Sequence, residues 1–566
     1  MAVPVATWAV AACALALVGL VYLRLFFGID FTDESFYAAV PYRFVLGAKP
    51  YIDEVSVTDT NTAILLYPLV WLYVHVAGRT GIVLYLRQLH FLVSLGLAAV
   101  TLASLRRLVG TTAALLVAAL ALVFTPFDIP SVGYDGMTCA LFTAGCLLGF
   151  HARSEPRARL WAGICLGLAA FAYPPLCIAV LAACLIRLRG AGTQRGAELR
   201  SLVAPALLLP ALGFAALGTA FGAGRVVDDF KQSARFLGEA GGAGKLRKIG
   251  LHEWTTFPYW YLVLAALLVL ALTWRRWPRL AAAVLVLLPL LFVPPHLGSY
   301  SASLDDVAHF GWLALPLLLP LRRDPDLRRL FLLVWVPALI AGLVTAYSSA
   351  NGGVNFGVGF FPAALVAAVF CIRGFGQLVP ERPSLALAPA AVVAAVFVFF
   401  SLVPVYRDSA LLRLDARVAT GPYAGLLTSP LKRDFLDRLQ ADLGSPGPSC
   451  RITFLRDFPA GYLLTDATID TNLVWTAAVP VRDEDAYARG LLAYYRSHGL
   501  PNVVVLTRRV PYALPGMGRP EAYRRGDPLL SFLRTDGYRN TVNRFDYSIY
   551  RRGVCGSPAT AVALHS

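Results

Sequence analysis

Residues 385–403 read LALAPAAVVAAVFVFFSLV, a run without a single charged side chain. A helix needs roughly 17–25 apolar residues to cross the hydrocarbon core of a bilayer. Backbone groups in lipid must find their hydrogen-bond partners within the segment, so such a run is helical there. Similar runs, Ala281–Val293 and Leu330–Val344 among them, recur along the first 405 residues. This repetition argues against the alternative, a buried helix of a soluble protein, and predicts a polytopic α-helical membrane protein.

The composition of the whole chain agrees with this prediction. Of its 566 residues, 57% are hydrophobic and 15% are charged, with a mean hydropathy of +0.63, whereas soluble domains carry about 25% charged residues. The net charge of +16 could suit a nucleic-acid-binding protein, but the arginines stand in clusters in every second loop between apolar runs. These clusters are Arg106-Arg107, Arg153 with Arg157 and Arg159, Arg187 with Arg189 and Arg195, Arg275-Arg276, Arg322-Arg323 with Arg328-Arg329, and Arg373 with Arg382. Such a distribution is typical of the positive-inside rule, so the charge orients the chain and predicts no nucleic-acid partner.

The same rule predicts a topology. The N-terminal run Val3–Phe27 lacks a basic leading region and a clear cleavage site, so we expect a retained helix rather than a cleaved signal peptide. Following the later runs gives about thirteen spans in the plasma (inner) membrane, with the N-terminus in the cytoplasm and the C-terminus outside. Residues Ala63–Ala77 are few and include Pro68, so we expect an interfacial or re-entrant helix there.

The composition changes after Tyr406, where charged residues become frequent and long apolar runs stop. We therefore predict a transmembrane domain over residues 1–405 and an extracytoplasmic α/β domain over residues 406–566. Helical spacing marks Lys432–Leu443 and Glu484–Ser497, and the strand pattern marks Arg451–Leu455, Val503–Thr507 and Tyr547–Arg551.

The nine cysteines divide by region. Seven lie in apolar helices and are interpreted as small core residues. Only Cys450 and Cys555 fall in the C-terminal domain. In an oxidising compartment such a pair favours a disulfide, and the alternative is two unpaired buried thiols.

The first external loop concentrates acidic residues beside a membrane boundary. It contains Asp30, Asp33 and Glu34, and apolar side chains follow at helical intervals (Phe36, Tyr37, Val40, Phe44). The spacing predicts a short amphipathic helix on the membrane surface, kinked or shortened by Pro41. Asp33 and Glu34 would lie at its N-terminal end, where negative charge is favoured. The alternative is a solvated acidic loop that simply obeys the topology.

A longer pattern begins in this loop. Asp33-Glu34 is followed by Gly47-x-x-Pro50-Tyr51-x-Asp53, a proline-containing helix and Arg87. This pattern resembles the GT-C superfamily of glycosyltransferases, and within it the protein O-mannosyltransferases and the lipid A aminoarabinose transferase. The resemblance covers the architecture of the whole chain but is specific only over roughly residues 30–140. It implies a multi-spanning enzyme that takes a sugar from a polyprenyl-phosphate carrier on the external face.

The resemblance also implies roles for individual residues. Asp33 would be the base that deprotonates the acceptor hydroxyl, with Glu34 orienting it or binding the acceptor. Asp135, in the second external loop, would be a further catalytic acid, although a plain turn explains it as well. Arg87 lies apart from the cytoplasmic arginines, and its planar fork suits the donor phosphate. The alternative for Arg87 is an interfacial anchor that contacts native lipid.

Other polar positions are weaker candidates for substrate binding. They are Tyr51 and Asp53 in the first loop and His296, Asp305 and Asn351 in later external loops. His and Asp can ligate metals, but their spacing here is irregular. A divalent cation therefore stays an open alternative, the metal stays unknown, and no other cofactor is predicted. The basic loop 223–257 would suit a phosphate or an anionic lipid headgroup, or is a solvated loop.

Together these features predict an inverting glycosyltransferase that moves a sugar from a polyprenyl-phosphate donor to a cell-envelope glycan or glycolipid acceptor. Two alternatives remain, a transporter or flippase of lipid-linked intermediates and an inactive relative that acts as an assembly partner. The sequence contains no Walker-type phosphate loop, no His-Glu-x-x-His motif and no credible nucleophile elbow. These absences argue against an ATP-driven pump and against hydrolases that use those motifs.

Overall fold

The computed structural model describes residues 5–54, 57–152, 155, 157–228, 230–231, 244–292, 302–349, 351–381, 387–403, 405–444, 446–455, 458–475, 484–508, 528–553 and 555. Its contacts divide the chain into two compact units. The helical unit comprises Met1–Leu25, Gln88–Ala216 and Leu237–Pro404, and the mixed unit comprises Phe26–Arg87, Leu217–Phe236 and Val405–Ser566. The division predicted at residue 405 follows the chain, whereas in the structure the first loop groups with the C-terminal residues.

Helices dominate the chain up to residue 402. In chain order they are α1 (Val5–Arg24), α2 (Asp33–Val45), α3 (Val57–Ala77), α4 (Ile82–Val109), α5 (Thr111–Val123), α6 (Tyr134–His151), α7 (Ala158–Ala172), α8 (Cys177–Gly190), α9 (Arg195–Glu198), α10 (Ala204–Phe221), α11 (Gly244–Thr255), α12 (Trp260–Thr273), α13 (Pro278–Leu287), α14 (Ala302–Trp312), α15 (Ala314–Leu321), α16 (Pro325–Leu330), α17 (Val336–Tyr347), α18 (Phe356–Leu378) and α19 (Leu387–Leu402). Single π-helical turns, Leu199–Val203 and Phe331–Trp335, join α9 to α10 and α16 to α17.

Many of these helices are long and apolar. Among the described residues, six helical stretches are long and apolar enough to cross a membrane: Asp59–Ala77, Ile82–Val109, Gly192–Phe221, Leu304–Leu321, Pro325–Tyr347 and Gly352–Leu378. The pair α11 and α12, bent by 74°, raises the number to seven if it counts as one span. The chain is therefore a multi-pass helical membrane protein, while the count of about thirteen spans and the orientation stay predictions.

Residues 57–77 differ from the sequence prediction. Pro68 lies inside a continuous 21-residue helix, α3, and does not divide it into an interfacial fragment. Proline is tolerated in helices of membrane proteins because neighbouring groups and local adjustments satisfy the freed backbone. By length and composition, Asp59–Ala77 can cross a membrane.

Glycines allow α18 to lie at the centre of the helical unit. Its apolar window is entirely buried, and it packs against both α14 and α17. A Cβ atom on Gly359 would lie 2.3 Å from the carbonyl carbon of Ala341, and one on Gly357 would lie 2.4 Å from the carbonyl oxygen of Leu304. Backbone contact of this kind is how membrane helices pack through small residues.

The C-terminal part of the mixed unit contains a five-stranded sheet. Its helices are α20 (Pro430–Leu443), α21 (Ala460–Leu463), α22 (Glu484–His498) and α23 (Pro528–Thr535), and its strands are β1 (Ala416–Arg417), β2 (Leu427–Thr428), β3 (Arg451–Leu455), β4 (Thr468–Ile469), β5 (Val503–Thr507), β6 (Arg539–Asn543) and β7 (Tyr547–Arg551). The sheet order is β4-β3-β5-β7-β6, with β3 parallel to β4 and β5, and β7 antiparallel to β5 and β6. These elements confirm the predicted α/β character and the three predicted strands.

The first loop is built into this unit. Residue Phe27 forms a parallel bridge with Leu427, and Gly28 donates its N–H to the carbonyl of Leu427 over 2.8 Å. Gly28 has φ +83°, and a Cβ there would lie 2.2 Å from a methyl carbon of Val405, so only glycine fits this close approach.

Helix α2 follows this bridge, and it is buried almost all round. It begins at Asp33, as the sequence predicts, but its residues 34–44 are all buried. Phe36 lies 5.5 Å from the Trp475 ring, measured between centroids, and the hydroxyl of Tyr42 donates to Asp466. The prediction of an amphipathic helix on the membrane surface is therefore wrong, because residues more than 400 positions away cover the face that would be exposed.

A disulfide joins Cys450, just before β3, to Cys555, just after β7. The two cysteines are 105 residues apart in the chain, so the cross-link closes a long loop and restricts the unfolded state. We expect the double variant Cys450→Ser/Cys555→Ser to lose about 2–4 kcal/mol of stability. Equilibrium unfolding in detergent should show this loss, and Cys177→Ser, an exposed free cysteine, serves as the control. A double variant as stable as the control would contradict the expectation.

Candidate active site

Asp33 lies at the first position of α2, where the free N–H groups of the helix favour a negative charge. Its carboxylate accepts a hydrogen bond from the Tyr406 hydroxyl over 2.7 Å and forms an ion pair with Arg407 over 2.9 Å. Its side chain is 18% exposed. Asp33 is thus held by two neighbours from the segment after α19 and by the Thr32 hydroxyl, and its side chain is only partly buried.

Glu34 and Arg87 form a buried ion pair. The guanidinium binds both oxygens of Glu34, with Nε–Oε1 of 2.5 Å and Nη2–Oε2 of 2.7 Å, and it also donates to the carbonyls of Phe27 and Gly28. The side chains are 1% and 2% exposed. This bidentate geometry commits Arg87 to Glu34 and to the loop backbone, which differs from the phosphate contact predicted for it. That contact stays a prediction.

Asp30 organises the turn before α2. Its carboxylate accepts hydrogen bonds from the N–H and hydroxyl of Thr32, over 3.1 and 2.7 Å, and from the N–H of Glu34, over 2.9 Å. The hydroxyl of Ser35 donates to the carbonyl of Asp30 and lies 2.6 Å from the hydroxyl of Tyr423. These bonds fix the backbone that presents Asp33.

Lys432 and Asp408, from the C-terminal part of the mixed unit, complete the cluster of charged side chains around Asp33. Asp408 accepts from the N–H of Ile29 over 2.9 Å and from the hydroxyl of Thr428 over 2.5 Å. The ammonium of Lys432 donates to the carbonyls of Ile29 and Arg407 and lies 3.8 Å from the Asp408 carboxylate. Both side chains are buried, and burial lowers the pKa of Lys432 while Asp408 opposes that change.

The surroundings of Asp33 shift its pKa. Burial raises the pKa of Asp33 above its ordinary value, the Asp30 carboxylate adds to the rise, and Arg407 opposes it. A carboxyl with a raised pKa holds a proton more readily, which is the property required of a general base. A pKa shifted by burial and by specific neighbouring charges is typical of functional sites.

The structure brings together three of the predicted residues, Asp33, Glu34 and Arg87, within the mixed unit. Asp135 lies in the helical unit, in the first turn of α6, and is 5% exposed. Its predicted catalytic role is not tested by this position.

The weaker candidates are scattered. Tyr51 has φ +61° and donates its hydroxyl to Asn61, and Asp53 accepts the N–H of Lys49 over 2.6 Å, which makes both parts of the loop structure. Asp305, in the helical unit, pairs with His252 over 3.1 Å, and Asn351 is exposed in a turn. His296 lies outside the described residues. Within the described ranges no three His, Cys, Asp or Glu side chains could hold a metal ion together.

Sequence reasoning missed Tyr406, Arg407, Asp408 and Lys432. The change of composition after Tyr406 marks a domain border, but nothing local shows that these side chains meet a loop more than 370 positions earlier. The one available signal is Arg407-Asp408 directly after the last apolar run, a charge pair at a membrane boundary.

No family model and no curated protein matches the chain. Among solved structures, the crystal structure of ArnT from Cupriavidus metallidurans in the apo state is similar, with 15% identity over 96% of this chain and 97% of that chain and a TM-score of 0.38. The crystal structure of ArnT from the same organism bound to undecaprenyl phosphate has 13% identity over 97% and 98% of the two chains and a TM-score of 0.46. Values this low establish neither the family nor the activity of the chain.

Proposed function

We propose that the chain is an inverting glycosyltransferase of the GT-C type that transfers a sugar from a polyprenyl phosphate to a cell-envelope glycan or glycolipid on the external face of the plasma membrane. The observation that carries the proposal is the Asp33 carboxylate, partly exposed and fixed by Tyr406 and Arg407 at the start of a buried helix. The sequence resemblance over residues 30–140 supports the same reaction.

In the proposed reaction an acceptor hydroxyl gives its proton to Asp33 while its oxygen attacks the anomeric carbon of the donor. The bond from that carbon to the phosphate oxygen breaks, and the electron pair leaves with polyprenyl phosphate. A single displacement of this kind inverts the anomeric centre. The general base contributes about 10²–10⁴-fold to such a rate.

Asp33 suits this role better than the other acids of the cluster. Asp30, Glu34 and Asp408 are at most 7% exposed, and each already accepts hydrogen bonds from the loop or from a buried cation. A base must reach the substrate hydroxyl within hydrogen-bond distance. Only Asp33, among the described acids of this cluster, combines such exposure with fixed orientation.

The raised pKa of Asp33 predicts the pH dependence. A base works only when ionised, so kcat/KM, which reports the free enzyme, should fall on acidification at a higher pH than the value of about 4 expected for an ordinary aspartate. The Arg407 cation lowers the pKa of Asp33. Its removal in Arg407→Gln should therefore raise that pKa and move the fall in kcat/KM to still higher pH. Rate profiles of both proteins would show the shift. An acidic limb at the ordinary position, unchanged in the variant, would contradict the assignment.

The location of the accumulated substrate distinguishes a transferase from a transporter. In cells lacking the protein, a transferase leaves the lipid-linked sugar in the external leaflet, because the earlier steps continue. A flippase leaves it in the cytoplasmic leaflet. Labelling of intact cells with a membrane-impermeant reagent that oxidises sugars should therefore modify the accumulated lipid, and an inaccessible lipid would overturn the proposal.

A further inference from the structure

Arg87, Lys432 and Arg407 contact the turn that leads into α2, and the first two are bound within the protein by several groups. Arg87 binds both oxygens of Glu34 and two backbone carbonyls, with its side chain 2% exposed. Lys432 donates to two carbonyls beside Asp408, and its side chain is also 2% exposed. A phosphate could reach either cation only if this buried network were taken apart, which leaves a carboxylate unpaired.

Arg407 differs from both. Its side chain is 15% exposed, its guanidinium donates to Thr32 and pairs with Asp33, and it stacks over the Tyr406 ring at 4.8 Å from the centroid. It follows α19, the last apolar helix, by five residues. If α19 crosses the membrane, as the sequence predicts, a cation five residues after its end is expected near the level of the lipid phosphates.

The backbone of Arg407 is held in an uncommon conformation. Its φ is +48°, in the left-handed region that non-glycine residues rarely adopt. The Lys432 ammonium binds the Arg407 carbonyl and the Ile29 carbonyl together, so one buried cation links the Arg407 backbone to the loop that carries Asp33. Strained conformations that the surroundings enforce are typical of ligand-binding and switching segments.

The Arg407 guanidinium pairs with the Asp33 carboxylate, and a phosphate would compete for the same planar fork. We propose that the Arg407 guanidinium breaks its ion pair with Asp33 and binds the phosphate of the donor lipid instead. The Asp33 carboxylate is then free to accept the proton of the acceptor. The inference rests on the proposed function and deepens it by assigning the phosphate ligand. Tyr406 keeps its hydrogen bond and holds Asp33 in place during the exchange, and Lys432 is the positioning residue that keeps the Arg407 backbone fixed.

Binding of a short donor-lipid analogue tests this exchange. The probes are farnesyl phosphate, farnesol and inorganic phosphate, titrated against the full-length protein in detergent. The wild type should bind farnesyl phosphate better than farnesol or inorganic phosphate. Arg407→Gln should weaken the binding of farnesyl phosphate on the order of tenfold or more, because a charged hydrogen-bond donor to the phosphate is lost. The binding of farnesol should not change. Arg407→Lys keeps the charge but lacks the planar fork. Its affinity for farnesyl phosphate should lie between those of the wild type and Arg407→Gln.

Two further variants make the result specific. Arg413→Gln removes an exposed arginine of the same segment and should bind farnesyl phosphate as the wild type does. Asp33→Asn removes the competing charge and should bind farnesyl phosphate several-fold more tightly, since Arg407 no longer has to leave a carboxylate. A purely structural role for Arg407 predicts no such gain.

The outcomes separate this inference from the proposed function. If the wild type prefers farnesyl phosphate but Arg407→Gln binds it equally well, or if Asp33→Asn binds it no more tightly, the exchange is overturned and the transferase proposal stands. If the wild type does not prefer farnesyl phosphate over farnesol, the polyprenyl-phosphate donor itself is wrong, and the inference falls with it.

Discussion

Asp33→Asn should lower kcat about 10²–10⁴-fold, because the variant retains the shape of the side chain but cannot accept the acceptor proton. The Tyr406 hydroxyl can still donate to the amide oxygen, so the start of α2 should keep its conformation. The measurement is the initial rate of transfer from lipid-linked sugar in proteoliposomes.

The control for this experiment is Asp415→Asn. Asp415 is an exposed acid of the same unit, just before β1, and its replacement should leave the rate unchanged. If Asp33→Asn transfers sugar at the rate of Asp415→Asn, Asp33 is not the base.

Arg87→Met should destabilise the protein by about 3–5 kcal/mol, because it leaves the buried Glu34 carboxylate without a counter-charge. In the same variant the carbonyls of Phe27 and Gly28 lose their hydrogen-bond donor. The segment that leads into α2 should therefore be less firmly held. Equilibrium unfolding in detergent, followed by tryptophan fluorescence, would measure the loss.

A second substitution shows whether the charge itself causes this loss. Glu34→Gln/Arg87→Met removes both charges and should recover part of the stability. The exposed pair Arg433–Asp434 gives the comparison, since the Arg433 side chain is 40% exposed and Arg433→Met should cost less than about 1 kcal/mol. Equal losses for Arg87→Met and Arg433→Met would contradict the buried-pair account.

Local patterns were enough to predict the regular elements of the C-terminal part. Strands Val503–Thr507 and Tyr547–Arg551 have the predicted bounds because β-branched and aromatic residues concentrate between turn residues. The start of α2 at Asp33 follows in the same way from acidic residues before a helical pattern. Each of these predictions depends on neighbours in sequence.

Burial and partnership depend on residues far apart in the chain, and here the sequence misleads. Helix α2 looks amphipathic alone, but Phe31 before it packs against Phe435 and Phe458, and Trp475 covers Phe36. The sequence gives no partner for Arg87, whereas in the structure Arg87 pairs with Glu34. Lys432 carries no local signal of function, and the signal for Arg407 is its position with Asp408 directly after the last apolar run. The contacts of both residues with the first loop could not be predicted, because that loop lies near the other end of the chain.

The contacts between Asp33 and the segment after α19 give the C-terminal residues a part in the proposed site. The sequence assigns them no catalytic part, whereas two of the groups that hold Asp33 come from the segment that follows α19. A variant chain that ends before Tyr406 would therefore lose those partners of the proposed base together with the sheet.

The most direct measurement uses the lipid-linked intermediate isolated from a strain that lacks the protein. Purified wild-type protein and Asp33→Asn are incubated with it in proteoliposomes, and polyprenyl phosphate is quantified by mass spectrometry. The account predicts that wild type releases polyprenyl phosphate in step with sugar appearing on the acceptor, with next to none from Asp33→Asn. Lipid that crosses the bilayer intact, or equal release by both proteins, would contradict it.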